Sequence, residues 1–496
     1  MATRLKSGEE ASDKTNPTGC HMTTLTLTDD RINAQGGLHL IGTLIERHSG
    51  LRHAFGADAG KRSDRLSDAD ILISKLGLLV QGRSHYEDIE LFRQPQPSKK
   101  QPHEREQPSA EQPSAEHFAQ SLRIKRVPSE SILRQRLKAL ARDSAVTTQL
   151  DADSLALIRA HQPTALRVQG RRYIPCDIDV SPFDNSRSHR EELGRTYKGT
   201  DGFAPIFAYL GTQGWVLHHE LRPGSQHCQK GTPEFLRQSL ERIGTLQLKD
   251  EVLIRMDSGN DSADNIALLR QSSHSFIIKR NQRQEDPVKW LSHAIAQQEG
   301  EPERPRAGKE VYIGTAEHHR PGGESSTQEP LPVIYRVVRR SIDKKGQPLL
   351  IDHISVETYW TNLGESAQDI IALYHDHGTS EQYHSELKSD LNLERFPSGS
   401  FATNALFLRL GSLAYNLLRS LDEHARAVRE EQKESWPARI KAVARRRVGS
   451  VIRDLIQVAS KRVSHAGREI IKLASAWPWS RVLIGIEERL RAAAPA

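Results

Sequence analysis

The run "DEVLIRMDSGN", residues 250–260, puts Val252, Leu253, Ile254 and Met256 into five positions and then ends on Asp257. A continuous apolar run this short, bounded by turn residues, reads as a strand buried on both faces, which requires helices above and below its sheet. An acid closing such a strand is not placed there for packing. Upstream, "LRVQGRRYIPCDIDVSPF" (166–183) alternates and ends in a second acidic pair, Asp177 and Asp179. The period of two puts both carboxylates on one face. Between and after these runs, "APIFAYLGTQGWVLHHELRPG" predicts two strands around Gly211–Gly214. "TPEFLRQSLERIGTL" and "SADNIALLRQSS" predict helices, and "SFIIKRN" predicts another strand. The order strand, strand, helix, strand, helix, strand suggests a mixed α/β layer fold.

A third carboxylate comes from "SAQDIIALYHDHGTSEQYHSELKSDL" (366–391), in which Ile370, Leu373 and Tyr374 are spaced for one buried helical face. Gly378 is placed to bend the helix, and Thr379 or Ser380 to cap the next turn. Glu381 and Lys388 are seven apart and share a face. Two strand-end Asp and one helical Glu are hard oxygen donors, suited to Mg²⁺ or Mn²⁺. A pair of such ions activates water and stabilises a leaving 3′-oxygen in phosphodiester chemistry. Histidine zinc ligation is the rival, since His377 and His384 share a face and His375 is close. No HExxH is present, and Cys20, Cys176 and Cys228 lie far apart. The three histidines are therefore expected on a solvated surface.

The rest of the chain frames this unit. Residues 1–30 are polar and expected to be a disordered tail. Residues 31–160 form a helical region, interrupted at 94–117 by a Pro-rich, low-complexity loop containing a tandem QPSAE. The unit spans 165–284 and 363–425, separated by a β-rich insertion at 285–362, and 426–496 reads as a basic, wholly helical region. The net charge of +7 (70 Lys+Arg minus 63 Asp+Glu) says little when spread over 496 residues. Its distribution says more: 437–472 carries ten Lys/Arg against Asp454 and Glu469. That stretch suits a polyanion, with Arg445, Arg446 and Arg447 as phosphate contacts. There is no apolar run of about 18 residues and no apolar leader, so a cytoplasmic protein without a membrane partner is expected.

Four segments in order resemble the DDE transposases of bacterial insertion sequences, the cut-and-paste group with an RNase H-like catalytic core. "DIDVS" resembles the family's first-Asp strand and "VLIRMDSGNDSADNIALL" its second-Asp strand and helix. "YWTNL" resembles the strand returning from the insertion, and "YHDHGTSEQYHSELKSDLNLERFPSGSFATNALFLRLGSLAYNLLR" the Glu helix. The family pattern Tyr, two residues, Arg, three residues, Glu, six residues, Lys falls on Tyr374, His377, Glu381 and Lys388, and Asn404 fits the following helix. One position departs: His377 stands where the pattern has Arg, a titratable ring in place of a permanent forked cation. Ser181 favours Asp179 over Asp177 as the first acid, since the family's Asp precedes a Thr/Ser-containing turn.

The resemblance implies an RNase H-like core with a β-rich insertion, flanked by helical regions that bind DNA ends and dimerise. It implies Mg²⁺ (or Mn²⁺) held by Asp179, Asp257 and Glu381, with Tyr374, His377 and Lys388 against DNA. The expected reaction is cleavage at the terminal inverted repeats followed by strand transfer into target DNA, by a homodimer near the bacterial nucleoid. Two alternatives are a transposase-derived DNA-binding protein without catalysis and another RNase H-like nuclease. The 124 positions between Asp257 and Glu381 (381 − 257) disfavour a compact nuclease.

Overall fold

The computed structural model describes residues 32–56, 65–93, 113–298, 300–318, 330–343, 345–432 and 445–492. The expected tail at 1–30 lies outside them. So does most of the Pro-rich loop, but its last residues, 113–117, open a helix, Pro113–Leu122, that buries Phe118 and Leu122. The loop expected to run to residue 117 therefore stops short, because Pro is tolerated in a first helical turn, where its missing N–H has no partner to lose.

The centre is a mixed sheet. Its first core strand, Arg171–Val180, is antiparallel to Ile206–Leu210, which is antiparallel to Trp215–Glu220. On its other side lie Glu251–Met256 and then Ser275–Lys279, both parallel to it in sequence. Numbered along the chain, these five strands stand in the order 3-2-1-4-5, which is the RNase H-like arrangement expected. Helices Thr232–Leu246 and Ala263–Gln271 bury Phe235, Leu236, Ile243, Ile266 and Leu269 against Ile174, Ile178 and Ile254 on one face. On the opposite face Tyr173, Leu253 and Ile277 meet Ile370, Leu373 and Tyr374 of the helix Ala367–His375.

The expected β-rich insertion is present and continues the same sheet. Lys309–His318, Leu331–Ile342 and Pro348–Thr361 form a meander whose last strand pairs antiparallel with Ser275–Lys279, Ile277 opposite Thr361.

A helical lobe packs against the core. Its helix Asp68–Leu79 is capped by Ser67, whose hydroxyl takes the Asp70 N–H while the Asp70 carboxylate takes the Ser67 N–H. The helix is buried nearly all round and packs on the long helix Phe401–Glu431. Lys75, wholly buried, points its ammonium at the carbonyls of Ser84 (2.6 Å) and His85 (3.3 Å) and over the ring of Phe407.

The expectation of only helices after Ser366 is corrected. Ser460–His465 and Arg468–Leu473 form a hairpin, and Asn33 pairs with Ser460 to add the strand Ile32–Asn33 at its edge. The turn takes positive φ at both central residues, Ala466 (51°) and Gly467 (74°), the arrangement of a type I′ hairpin. Polar composition hid the alternation, and Ala is an unusual first residue for that turn.

Candidate active site

The site face of the sheet is the one carrying the helix of Glu381. On the first strand, Tyr173, Asp177 and Asp179 share this face; on Glu251–Met256, Leu253 and Arg255 do, and Asp257 follows in the same phase. The register sets Ile178 beside Met256, so Asp179 and Asp257 leave neighbouring parallel strands side by side. The helix above runs through Ala367–His375, a 3-10 turn at Asp376–Gly378, Thr379–Ser385 and a π turn at Glu386–Asp390. The bend expected at Gly378 is this 3-10 turn.

The two candidates for the first acid have different surroundings. Asp177 is buried and held by the Arg255 guanidinium through Nε–Oδ1 at 2.6 Å and Nη2–Oδ2 at 2.8 Å. Burial opposes its ionisation, but Arg255 and His377 outweigh that and hold its carboxyl below the usual range. Arg255 also donates through Nη1 to the Leu373 carbonyl (2.6 Å) and to Asp376 (3.0 Å). One guanidinium thus ties both central strands to the overlying helix.

Asp179 is only partly covered. Its Oδ1 accepts from the Val180 N–H at 2.7 Å, and its Oδ2 lies 3.2 Å from His384 Nε2. The Tyr209 hydroxyl is 3.0 Å from His384 Nδ1, and by donating there it leaves Nε2–H to donate to Asp179. Burial opposes ionisation here too, and His384 brings the carboxyl below its usual range. Asp257 differs: burial first, and then the charge of Asp179, push its carboxyl up, while Asn260 Nδ2 donates to Oδ1 at 2.6 Å. Two carboxylates facing each other, one destabilised by the other, is a donor arrangement that a divalent cation relieves.

Glu381 is exposed on its helix. Among the described residues no three His, Cys, Asp or Glu side chains stand together as a finished metal-binding group. Tyr197 lies within electrostatic reach of Glu381 and of both Asp. Its hydroxyl donates to the Val180 carbonyl at 3.3 Å, and its pKa is pushed up to about 12 by burial and then by the charges of Asp179, Asp257, Cys228 and Glu381.

Several expectations need correction. His377 and His384 are buried, not surface residues, because each fills a slot beside an acid. His377 Nδ1 sits 2.8 Å from Asp177 Oδ1, which raises its pKa against the opposing effect of burial. His375 is half-exposed near Glu357, as a surface residue should be. Tyr374 is packed with its ring 4.6 Å from that of Tyr359, burial and then Asp257 raising its hydroxyl pKa. Lys388 is partly buried, its ammonium 5.4 Å from the Phe183 ring. Burial lowers its pKa, with Glu394 opposing and Lys198 adding to the effect.

Two of the three cluster arginines are turned inward, and Arg447 stays partly exposed. Arg445 makes a two-pronged pair with the buried Glu386, both contacts 2.7 Å, and donates to the Gln213 carbonyl. Arg446 pairs with Asp422 at 2.7 Å and lies over Trp479, and Arg447 pairs with Asp390 at 2.8 Å. Of the three expected phosphate contacts, Arg445 and Arg446 have their guanidinium groups committed to carboxylates inside the fold. Sequence reasoning missed Arg255, although a lone charge inside the apolar run "VLIRM" demands a buried partner. It also missed Tyr197, which no local pattern marks.

The family model described as Transposase DDE domain group 1 matches residues 25–495. No curated protein matches the chain. Among solved structures the chain is similar to one chain of the piggyBac transposase synaptic complex with hairpin DNA, seen by cryo-EM. It is 10% identical, with 92% of this chain and 81% of that one covered and a TM-score of 0.39.

Proposed function

The chain belongs to the DDE transposases, group 1 of the transposase DDE domain, and from that premise we propose that it is an insertion-sequence transposase that cuts double-stranded DNA at the element's terminal inverted repeats and joins the freed 3′ ends to target DNA. Asp179, Asp257 and Glu381 are the proposed holders of Mg²⁺ or Mn²⁺. The observation that carries this reading is the pair Asp179 and Asp257, side by side at the ends of parallel strands, with the Asp257 carboxyl pushed up by its neighbour. A bound divalent ion supplies a Lewis acid that polarises phosphoryl oxygen and lowers the pKa of water.

The protein's own side chains do the rest. His384 and the Val180 N–H fix Asp179, Asn260 fixes Asp257, and Arg255 with Asp177 holds the helix that bears Glu381 over both. Lys388 is the proposed phosphate contact. Hydrolysis of one phosphodiester frees a 3′-hydroxyl. That hydroxyl then attacks a second phosphodiester, forming one P–O bond as another breaks, so no outside energy source is needed.

The test is to incubate the full chain with duplexes carrying the element's ends and Mg²⁺ or Mn²⁺. Nicks with 3′-hydroxyl termini are expected from the wild type and none from Asp257→Ala, which keeps DNA binding. The exposure of Glu381 outside any three-acid group favours a second reading, a DNA-binding protein without catalysis. Binding without nicking by the wild type would establish that reading.

A further inference from the structure

Tyr197 combines two properties that pull apart. The residue is 68% exposed, yet its hydroxyl is tucked inward and anchored to the carbonyl of Val180, the residue after Asp179. The ring therefore stands at the lip of the site with a free face. It is also held stiffly. Thr196 and Thr200 close the turn through Thr196 N–H to the Thr200 carbonyl and Thr196 Oγ1 to the same oxygen, both 2.9 Å, and Gly199 supplies the left-handed φ of 77°.

The small hairpin that carries this turn, Gly194–Arg195 paired antiparallel with Asp201–Phe203, is locked to its surroundings. A Cβ on Gly202 would lie 1.9 Å from the Phe183 carbonyl oxygen, and one on Gly224 would lie 2.1 Å from that of Gly202. The loop is also clamped to the start of the long helix, Arg190 Nε donating to the Ser398 carbonyl at 3.1 Å and the Phe401 N–H to Glu191 at 2.8 Å. Next to Tyr197 in sequence is Lys198, which is exposed and close enough to Lys388 to lower that ammonium's pKa. A stiffly held aromatic face thus stands beside Asp179, with Lys198 next to it in sequence and Lys388 on the helical segment that follows Glu381.

We propose that Tyr197 is a substrate-binding residue whose ring stacks on the nucleotide next to the scissile phosphate while Lys198 and Lys388 hold the phosphates beside it. The inference rests on the DNA-cleaving reading above. An aromatic face is tolerant of base identity, so the contact positions the strand without selecting its sequence. The hydroxyl serves to aim the ring and takes no part in the chemistry.

The experiment uses the full chain and an element-end duplex with 2-aminopurine beside the scissile phosphate. Wild type is expected to quench its fluorescence, and Tyr197→Phe, which keeps the ring and loses only the bond that aims it, to keep most of that quenching. Tyr197→Ala is expected to lose the quenching and roughly 5- to 150-fold of end affinity, the range for removing one stacked base. Because the ring is exposed, the Ala variant is expected to melt with the wild type, which separates lost stacking from lost folding. An Ala variant that still quenches and binds as the wild type does overturns the proposal. So does a Phe variant as impaired as Ala, since the hydroxyl would then be the active group. A wild type that neither binds nor nicks overturns the DNA-cleaving reading itself.

Discussion

Replacing Arg255 with Leu removes four hydrogen bonds at once: two to Asp177, one to the Leu373 carbonyl and one to Asp376. Arg255 is 0% exposed and Asp177 2%, so the variant leaves a carboxylate in the interior with only His377 beside it. Breaking a buried pair in this way costs about 3–5 kcal/mol, chiefly for the stranded charge. The Asp177→Leu variant strands the guanidinium instead, with Asp376 and the Leu373 carbonyl left to it, and its loss falls in the lower part of that range. The double variant strands neither charge, so its stability is expected within about 1–2 kcal/mol of the wild type, a coupling of at least ~4 kcal/mol. Denaturant midpoints of the four proteins measure it. Nicking provides the second readout: the double variant is expected to regain stability but not activity, because the Arg255 bonds that fix the Glu381-bearing helix at Leu373 and Asp376 are gone. An additive cycle would refute the buried-charge argument. A double variant that nicks at the wild-type rate would refute the positioning argument.

Three further outcomes are expected. Burial lowers the Lys75 pKa from its ordinary 10.5 to about 7, so between those values the unfolded chain binds more protons than the folded one. Stability therefore rises with pH across that window, by at most about 1.4 kcal/mol per unit from this group, and Lys75→Met flattens the slope in denaturation at pH 7, 8 and 9. Arg445→Ala leaves the buried Glu386 with the Tyr415 hydroxyl and the more distant Arg419 guanidinium, and is expected to destabilise by about 3 kcal/mol, the low end for a broken buried pair, while leaving the salt dependence of DNA binding unchanged; a flatter salt slope with unchanged stability would return Arg445 to the phosphate role. Asp257→Asn relieves the repulsion from Asp179, so in chelator it should be more stable than the wild type by on the order of 1 kcal/mol, and Mn²⁺ should raise the melting temperature of the wild type alone; equal Mn²⁺ shifts would remove Asp257 from the metal site.

The core was legible because its signals are local. Apolar runs ending in acids mark strands whose order along the chain constrains the sheet, and the spacing from Tyr374 to Lys388 marks the helix above it. What escaped depends on partners far away in sequence. Nothing near His384 says that Tyr209 and Asp179 will close around it, and nothing in the charge of Arg445–Arg447 says that Glu386, Asp422 and Asp390 wait for them inside the fold. A run of like charge is read as surface when counted alone, and only the folded arrangement shows which charges are already spent. Arg255 is the exception, since a cation inside an apolar strand advertises its need for a carboxylate, and Asp177 was the nearest one on a neighbouring strand.

The pairing of Asn33 with Ser460, beside the bonds from the Gly36 and Gly37 N–H groups to the Val458 and Ile456 carbonyls, has a consequence for the time at which the protein becomes whole. A ribosome working at about 5–20 residues per second takes roughly 20–90 s to travel between the two ends of that contact. Throughout that interval Leu38, Ile41 and Leu44 lack the C-terminal segments that help enclose them, so the emerging chain presents a sticky helix to chaperones and proteases. Each new molecule is thus slow to mature, and interrupted synthesis yields fragments fit for degradation.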